Sequence, residues 1–159
     1  MTLKVRRVSL ADAVLLWEWR NDGLVRRNSF STELIPWEDH QRWLAAQLAS
    51  PTVAIYIVED GHEPVAQVRY ERRGPDEAEV HISVAAAARG RGFGKAALTD
   101  TVTDACAVLG VTLVFGLIKE DNAPSLRAFK AAGYEPAGPV IEHGARCYKY
   151  VYRAAASRP

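Results

Sequence analysis

The stretch that decides the fold is Val80-His81-Ile82-Ser83-Val84, four alanines, and then Arg89-Gly90-Arg91-Gly92-Phe93-Gly94-Lys95. An apolar strand runs through small residues into a glycine-rich turn and straight into a helix, whose apolar stripe is Leu98, Val102, Ala105, Cys106 and Leu109, ending at Gly110. Such a turn gathers exposed backbone N–H groups and a positive helix end among the cations Arg89, Arg91 and Lys95, which suits an anion such as a pyrophosphate. Glycines ahead of a helix also make plain turns, and that reading stays open on these residues alone. Two phosphate motifs fail on spacing. A P-loop needs four residues between its first glycine and Gly-Lys followed by Ser or Thr, whereas Gly90 and Gly94 enclose three and Ala96 follows Lys95. A dinucleotide fingerprint needs G-x-G-x-x-G early in a βαβ unit, but Gly90, Gly92 and Gly94 alternate strictly after a meander.

Working outward, residues 2–8 alternate as a strand, and Ser9 with Asp12 forms a capping pattern before a helix over about 10–20. Residues 21–34 read as a loop; Pro36, with Glu38 and Asp39 in a first turn, opens a helix reaching Ser50. Residues 53–58, 64–71 and 78–84 form a three-stranded antiparallel meander with Asp60-Gly61 and Gly74-Pro75-Asp76 at its turns. Residues 111–117 make a buried strand, a helix over 124–132 stops at Gly133, and a final strand covers 147–152. The order β-α-α-β-β-β-α-β-α-β-β indicates a mixed α/β (α+β) domain with about four helices on a largely antiparallel sheet of six to seven strands. No linker interrupts it, so residues 1–153 are read as one domain and 154–159 as a frayed tail.

The chain's 159 residues, 48% hydrophobic, suffice for one full core and not for two. A net charge of +1 supplies no general field for a nucleic acid backbone, so no nucleic acid partner is expected. Cys106 and Cys147 stand in no ligand-spaced cluster, and no metal site is expected. Neither a signal-peptide pattern nor a membrane-length apolar run occurs, and the expectation is a soluble cytoplasmic protein without membrane contact.

The segment Arg89, Gly92, Gly94 resembles the R-x-x-G-x-G turn of the GCN5-related N-acetyltransferase family, and the resemblance spans nearly the whole chain. Its second anchor is Asn122-Ala123-Pro124-Ser125, followed by Phe129 and Gly133-Tyr134, similar to the family's N-x-x-[AS] and G-[FY] segment. Both at the family's order and separation make a specific signal. The resemblance implies a sheet splayed between strands 4 and 5, with acetyl coenzyme A as co-substrate and its pantetheine arm in the cleft. It implies backbone contacts at Ile82 and Val84, a pyrophosphate on residues 89–95 (Arg89, Gly90, Arg91, Gly92, Phe93, Gly94, Lys95), and coenzyme contacts from Asn122, Ser125 and the helix position of Phe129. Asn122 is also a helix N-cap with Pro124 in the first turn, and the two roles are compatible.

Acetyl transfer to an amine requires a neutral nitrogen, a donor to a developing oxyanion and a proton for the departing thiolate. Glu79 and His81, two apart on one strand, share a face beside the cleft. Glu79 matches a position where many family members carry glutamate; His81 replaces a small residue and is expected to titrate near neutrality. Both also read as ordinary strand residues. The Val84 backbone N–H is the oxyanion donor. Relatives commonly carry a tyrosine acid where Phe129 stands, and phenylalanine has no proton to donate; Tyr134, Tyr148 and solvent remain as substitutes, while Phe129 also fits a core role.

All four tryptophans lie in the first 43 residues, in the part of the family fold that builds the acceptor site. Trp19-Arg20-Asn21-Asp22, Val25-Arg26, Asn28-Ser29-Phe30, His40-Gln41-Arg42-Trp43 and Gln67-Val68-Arg69-Tyr70 resemble the amino-sugar N-acetyltransferases of pseudaminic and related nonulosonic acid pathways. That resemblance implies a nucleotide-linked amino sugar held by Trp19, Arg20, Asn21, Arg26, Phe30 and Gln67, with aromatic stacking and guanidinium forks on a diphosphate. A solvated loop and core tryptophans are the plainer reading. An acetylase of N-terminal or aminoacyl amines and a non-catalytic acyl coenzyme A sensor are the alternatives, and a homodimer is left open.

Overall fold

A computed structural model describes residues 3–155; the start of the first predicted strand and the tail from 156 onward lie outside the described residues. The chain runs β1 (Leu3–Arg7), α1 (Ala13–Arg20), α2 (Gly23–Asn28), α3 (Trp37–Ala49), β2 (Val53–Asp60), β3 (Glu63–Arg72), β4 (Glu77–Val84), α4 (Phe93–Thr99), α5 (Val102–Leu109), β5 (Leu113–Lys119), α6 (Ala123–Ala131), β6 (Glu135–Glu142) and β7 (Ala145–Arg153), with short 3-10 turns before α1 and α4. The predicted capping pattern is present: Ser9 accepts from Ala11 N–H while Asp12 accepts from Ser9 N–H, and Arg6 clamps Asp12 at 2.8 and 2.9 Å.

One sheet of seven strands, ordered β1-β2-β3-β4-β5-β7-β6, carries the molecule, as the mixed and mostly antiparallel α/β expectation required. Its single parallel pair, β4 with β5, is short: only Glu77, Ala78 and Glu79 register with Leu113, Val114 and Phe115. Beyond that point the two strands part, and the sheet is splayed where strands 4 and 5 were expected to open.

Strand alternation sends two side-chain sets to opposite faces. Ala54, Tyr56, Val58, Val68, Tyr70, Val80 and Val114 meet Phe93, Ala97, Leu98, Ala105 and Leu109 of α4 and α5 in the larger core. Val53, Ile55 and Ile57 meet Leu16 and Leu44 of α1 and α3 in the smaller one. Leu16 and Leu44 are wholly enclosed, and each such side chain contributes about 1.5–3 kcal/mol of burial.

The described residues hold six α-helices where the sequence suggested about four. One addition is α2, in the segment read as loop. It buries no residue fully, so no apolar stripe marks it; Asp22 caps it by accepting from Leu24 and Val25 N–H. The other is a break in the helix expected after the glycine turn. The Thr101 hydroxyl donates to the Ala97 carbonyl at 2.6 Å and pairs with the Tyr70 hydroxyl at 2.7 Å, and the chain turns out of α4 at Asp100 before entering α5. The apolar stripe continues across the break, which hides it from periodicity.

Candidate active site

The register of β4 decides what the splay exposes. Ala85 N–H donates to Val65 O and Arg73 N–H to Glu77 O, so the odd residues of β4 are the ones that exchange hydrogen bonds with β3. The Val80 C=O and the N–H and C=O groups of Ile82 and Val84 therefore point the other way, into the gap left where β5 parts from β4. Their side chains point to the larger core, while Glu79, His81 and Ser83 face the α1–α3 side. One strand thus presents a free backbone edge to the cleft and ionisable side chains to the face beside it.

At the end of β4 the glycine turn divides its duties. Gly90 and Gly92 have φ of 79° and 83°, a conformation that side chains disfavour, and a Cβ at either would meet open space. Gly94 is required for a different reason: its Cβ would lie 3.1 Å from Ala128 Cβ and 3.7 Å from Ile82, so its absence lets α4 close against α6 and β4. No side chain caps α4 at Gly92, which leaves the first-turn N–H groups facing outward. Phe93 is buried, so only its backbone is available. Arg89 Nη2 contacts Asp22 Oδ2 at 2.6 Å, Arg91 lies over the Phe93 ring and 3.5 Å from Asp60, and Lys95 is exposed.

On the α1–α3 side, β3 and β4 carry an ionic chain. Glu79, 10% exposed, accepts from Arg73 Nε at 3.0 Å; Arg73 also reaches Glu71 at 3.1 Å, and Glu71 holds Arg69 at 2.9 Å. His81 Nε2 sits 3.5 Å from the second Glu79 oxygen and is shut from solvent without a hydrogen bond, although the ring as a whole is 37% exposed. Burial, with the charges of Arg69 and Arg73, pushes the His81 pKa down to about 3, which corrects the expected titration near neutrality: the ring is neutral at working pH.

Next to this chain lies a guanidinium–aromatic wall. Arg20 stacks on Trp43 at 3.9 Å and Arg69 approaches the same ring at 5.6 Å. Arg20 donates to His40 Nδ1 at 2.9 Å, and His40 Nε2–H in turn donates to the Ala13 carbonyl at 2.8 Å, so His40 is neutral. Burial and the proximity of Arg69 bring the Arg20 pKa down to about 10. Among the described residues no carboxylate pairs with Arg20. Trp19 packs on the smaller core beside it, and Gln67 donates to Ser83 at 3.2 Å on the same sheet face.

Other predicted residues fall elsewhere. Asn21 spends its amide on both backbone groups of Ile35, at 2.8 and 3.0 Å, and Arg26 donates to Asn21 O and Thr32 O; both staple the loop rather than project from it. Phe30 packs against His143 of the β6–β7 turn and under Lys119. Asn122 caps α6 by accepting from Ser125 N–H at 3.4 Å, and both residues remain partly exposed. Phe129 is a correction: 2% exposed, its ring covers Gly116 and meets Tyr134 edge-on at 4.9 Å, which takes it out of the cleft lining. Tyr134 is another: its hydroxyl is enclosed in the core beside Tyr70 and Tyr152, where burial raises its pKa, so it has no path to a leaving thiolate. Tyr148 opens on a groove between α6 and β7, away from the splay. Arg69, Arg73 and Trp43 are the site neighbours that sequence reasoning left unassigned. The signal for Arg69 was its place directly opposite His81 in the meander.

Residues 2–135 match the model of the acetyltransferase (GNAT) domain, and the chain belongs to that family. It is an acetyltransferase of the GNAT type. No curated protein matches it significantly. Among solved structures it is similar to the aminoglycoside acetyltransferase AAC(6')-Ib in complex with ribostamycin and coenzyme A (20% identity, TM-score 0.83, covering 96% of this chain and 94% of that one). It is also similar to spermidine N-acetyltransferase from Vibrio cholerae with coenzyme A and spermine (13% identity, TM-score 0.85, 95% of each chain). A third likeness is to YncA from Salmonella typhimurium with acetyl coenzyme A (15% identity, TM-score 0.82, 100% of this chain and 98% of that one). At these identities the likeness establishes the fold. Among the described residues no group of three or more His, Cys, Asp or Glu is placed to hold a metal, and no helix is long and apolar enough to cross a membrane.

Proposed function

We propose that the chain transfers the acetyl group of acetyl coenzyme A to the primary amine of a nucleotide-linked amino sugar. The coenzyme supplies the acetyl thioester; the free β4 edge at Ile82 and Val84 pairs with its amide-bearing arm, and the outward N–H groups of residues 90–95 take its pyrophosphate. Glu79 accepts the amine's proton, held in orientation by Arg73, while neutral His81 lines the same approach. The Val84 N–H serves the oxygen that gains charge. With Phe129 lacking a proton and the Tyr134 hydroxyl enclosed, solvent protonates the thiolate.

The observation that carries the acceptor assignment is Arg20: a half-buried guanidinium, stacked on Trp43, with no carboxylate partner among the described residues. A cation so placed is best satisfied by an anion on the ligand, and the neighbouring ring offers a stacking face for a base or sugar. Arg69 and Arg73 are matched by Glu71 and Glu79, so the uncompensated charge on this wall is that of Arg20, which disfavours polycationic amines.

The test is thiol release from acetyl coenzyme A against UDP- and CMP-linked amino sugars, N-terminal peptides, aminoglycosides and polyamines. Turnover is expected with a nucleotide-linked amino sugar. Turnover on spermine or an aminoglycoside with none on any nucleotide sugar sinks the assignment.

A further inference from the structure

Helix α2 is six residues long and buries none of them fully, so neither its length nor a core explains why it stands. It is fastened at both ends by cations, one from the turn after β4 and one from the end of β5. At its N-terminus Asp22 Oδ2 accepts from Leu24 N–H at 3.1 Å, Val25 N–H at 3.2 Å and Arg89 Nη2 at 2.6 Å, so the capping carboxylate is also the partner of the first arginine of the glycine turn. At its C-terminus Lys119 Nζ, on the last residue of β5, donates to Arg27 O at 3.1 Å and Ser29 O at 2.5 Å. The helix therefore bridges the mouth of the cleft, from the turn after β4 to the end of β5.

From this geometry we infer that Asp22 is a positioning residue for the donor site: it aims the Arg89 guanidinium at the coenzyme's phosphates and ties the acceptor wall to that aim. Asp22 engages one of the five guanidinium donors, which leaves the others for phosphate oxygens. A bound carboxylate restricts a long side chain that otherwise loses rotamer freedom on meeting its ligand. The inference rests on the proposed use of acetyl coenzyme A at the glycine turn, and it is independent of which amine is acetylated.

Asp22→Ser separates the two duties, because serine keeps the helix cap while removing the partner of Arg89. In calorimetric titrations with acetyl coenzyme A and no acceptor present, Asp22→Ser is expected to weaken binding by about three- to tenfold, the range of one charge-assisted contact. Arg89→Gln is expected to weaken it at least as much. The double variant is expected to bind no more weakly than Arg89→Gln alone, since both changes act through one guanidinium. Loss of α2 as mere scaffolding would not produce this pattern in donor affinity. Should Asp22→Ser fail to fold, judged by its thermal melt, Asp22→Asn carries the same comparison with the cap retained. Wild-type affinity in the charge-removed variant, or effects that multiply in the double variant, overturns the inference. A wild-type chain that binds no acetyl coenzyme A refutes the functional reading and this inference together, which distinguishes the two failures.

Discussion

Gly116→Ala tests how α6 packs on β5. A Cβ at position 116 would lie 2.5 Å from Phe129 Cε1 and 2.7 Å from Cζ, well inside the roughly 3.5–4.0 Å of normal carbon contact. The Phe129 ring has little room to retreat, with Tyr134 at 4.9 Å on its edge and Tyr150 at 6.3 Å beyond. Relief must come from an off-rotamer ring or a shift of α6, and overpacking of this kind costs about 1–3 kcal/mol. For a chain of this size each kcal/mol lowers Tm by about 2–4 °C, so a fall of roughly 2–12 °C is expected in a thermal melt followed by circular dichroism. Phe129→Leu alone also destabilises, by leaving a cavity, but added to Gly116→Ala it makes room for the new methyl. The double variant should therefore be more stable than the sum of the single losses by on the order of 1 kcal/mol. An unchanged melt for Gly116→Ala, or strict additivity, refutes the packing account. So does a Phe129→Leu variant that melts like wild type yet loses acetyl coenzyme A affinity, because that would return the ring to the cleft.

Glu79→Gln should lower kcat by about 10²- to 10⁴-fold with little change in acetyl coenzyme A affinity, as expected for loss of a positioned proton acceptor; steady-state rates beside calorimetric titration check this, and full turnover would remove Glu79 from the mechanism. The low pKa of His81 makes stability acid-sensitive. Above pH 6.5 the ring is neutral whether the chain is folded or not, and the full stability is present; below it the unfolded chain takes a proton that the folded chain refuses until about pH 3, so stability falls through that window. Enclosed His40, its pKa also lowered by burial, acts in the same direction. Urea midpoints at pH 7 and pH 4.5 should differ less in His81→Gln than in wild type, and an identical pH dependence refutes this.

Much of the strand and glycine turn was legible in sequence because it is local. Residues 80–95 form one continuous strand-turn-helix, and the positive φ at Gly90 and Gly92 is what the glycines announced. Alternation along the meander likewise put Glu79 and His81 on one face. What sequence did not disclose depends on distant partners. The α2 helix stands on contacts from Arg89 and Lys119, 67 and about 90 residues away, and carries no apolar period to betray it. The shift of His81 to a low pKa comes from its burial in the folded sheet, with Arg69 of β3 and Arg73 of the turn after it, and the enclosure of the Tyr134 hydroxyl needs Tyr70 of β3 and Tyr152 of β7. Asn21 and Arg26 were read as substrate ligands through the amino-sugar resemblance of their segments; only the folded loop reveals that backbone groups already hold them.

In the proposed reading β4 gives the main chain of its even residues to one substrate and the side chains of its odd residues to the other, so a residue inserted between His81 and Ile82 would set everything beyond it against the alternation. Ile82 and Val84 would turn their side chains away from the apolar core and Ser83 would turn into it. Loops on either side can lengthen without such penalty. On that reading, divergence in acceptor preference is channelled into α1, α2 and their connections, while this strand keeps its count.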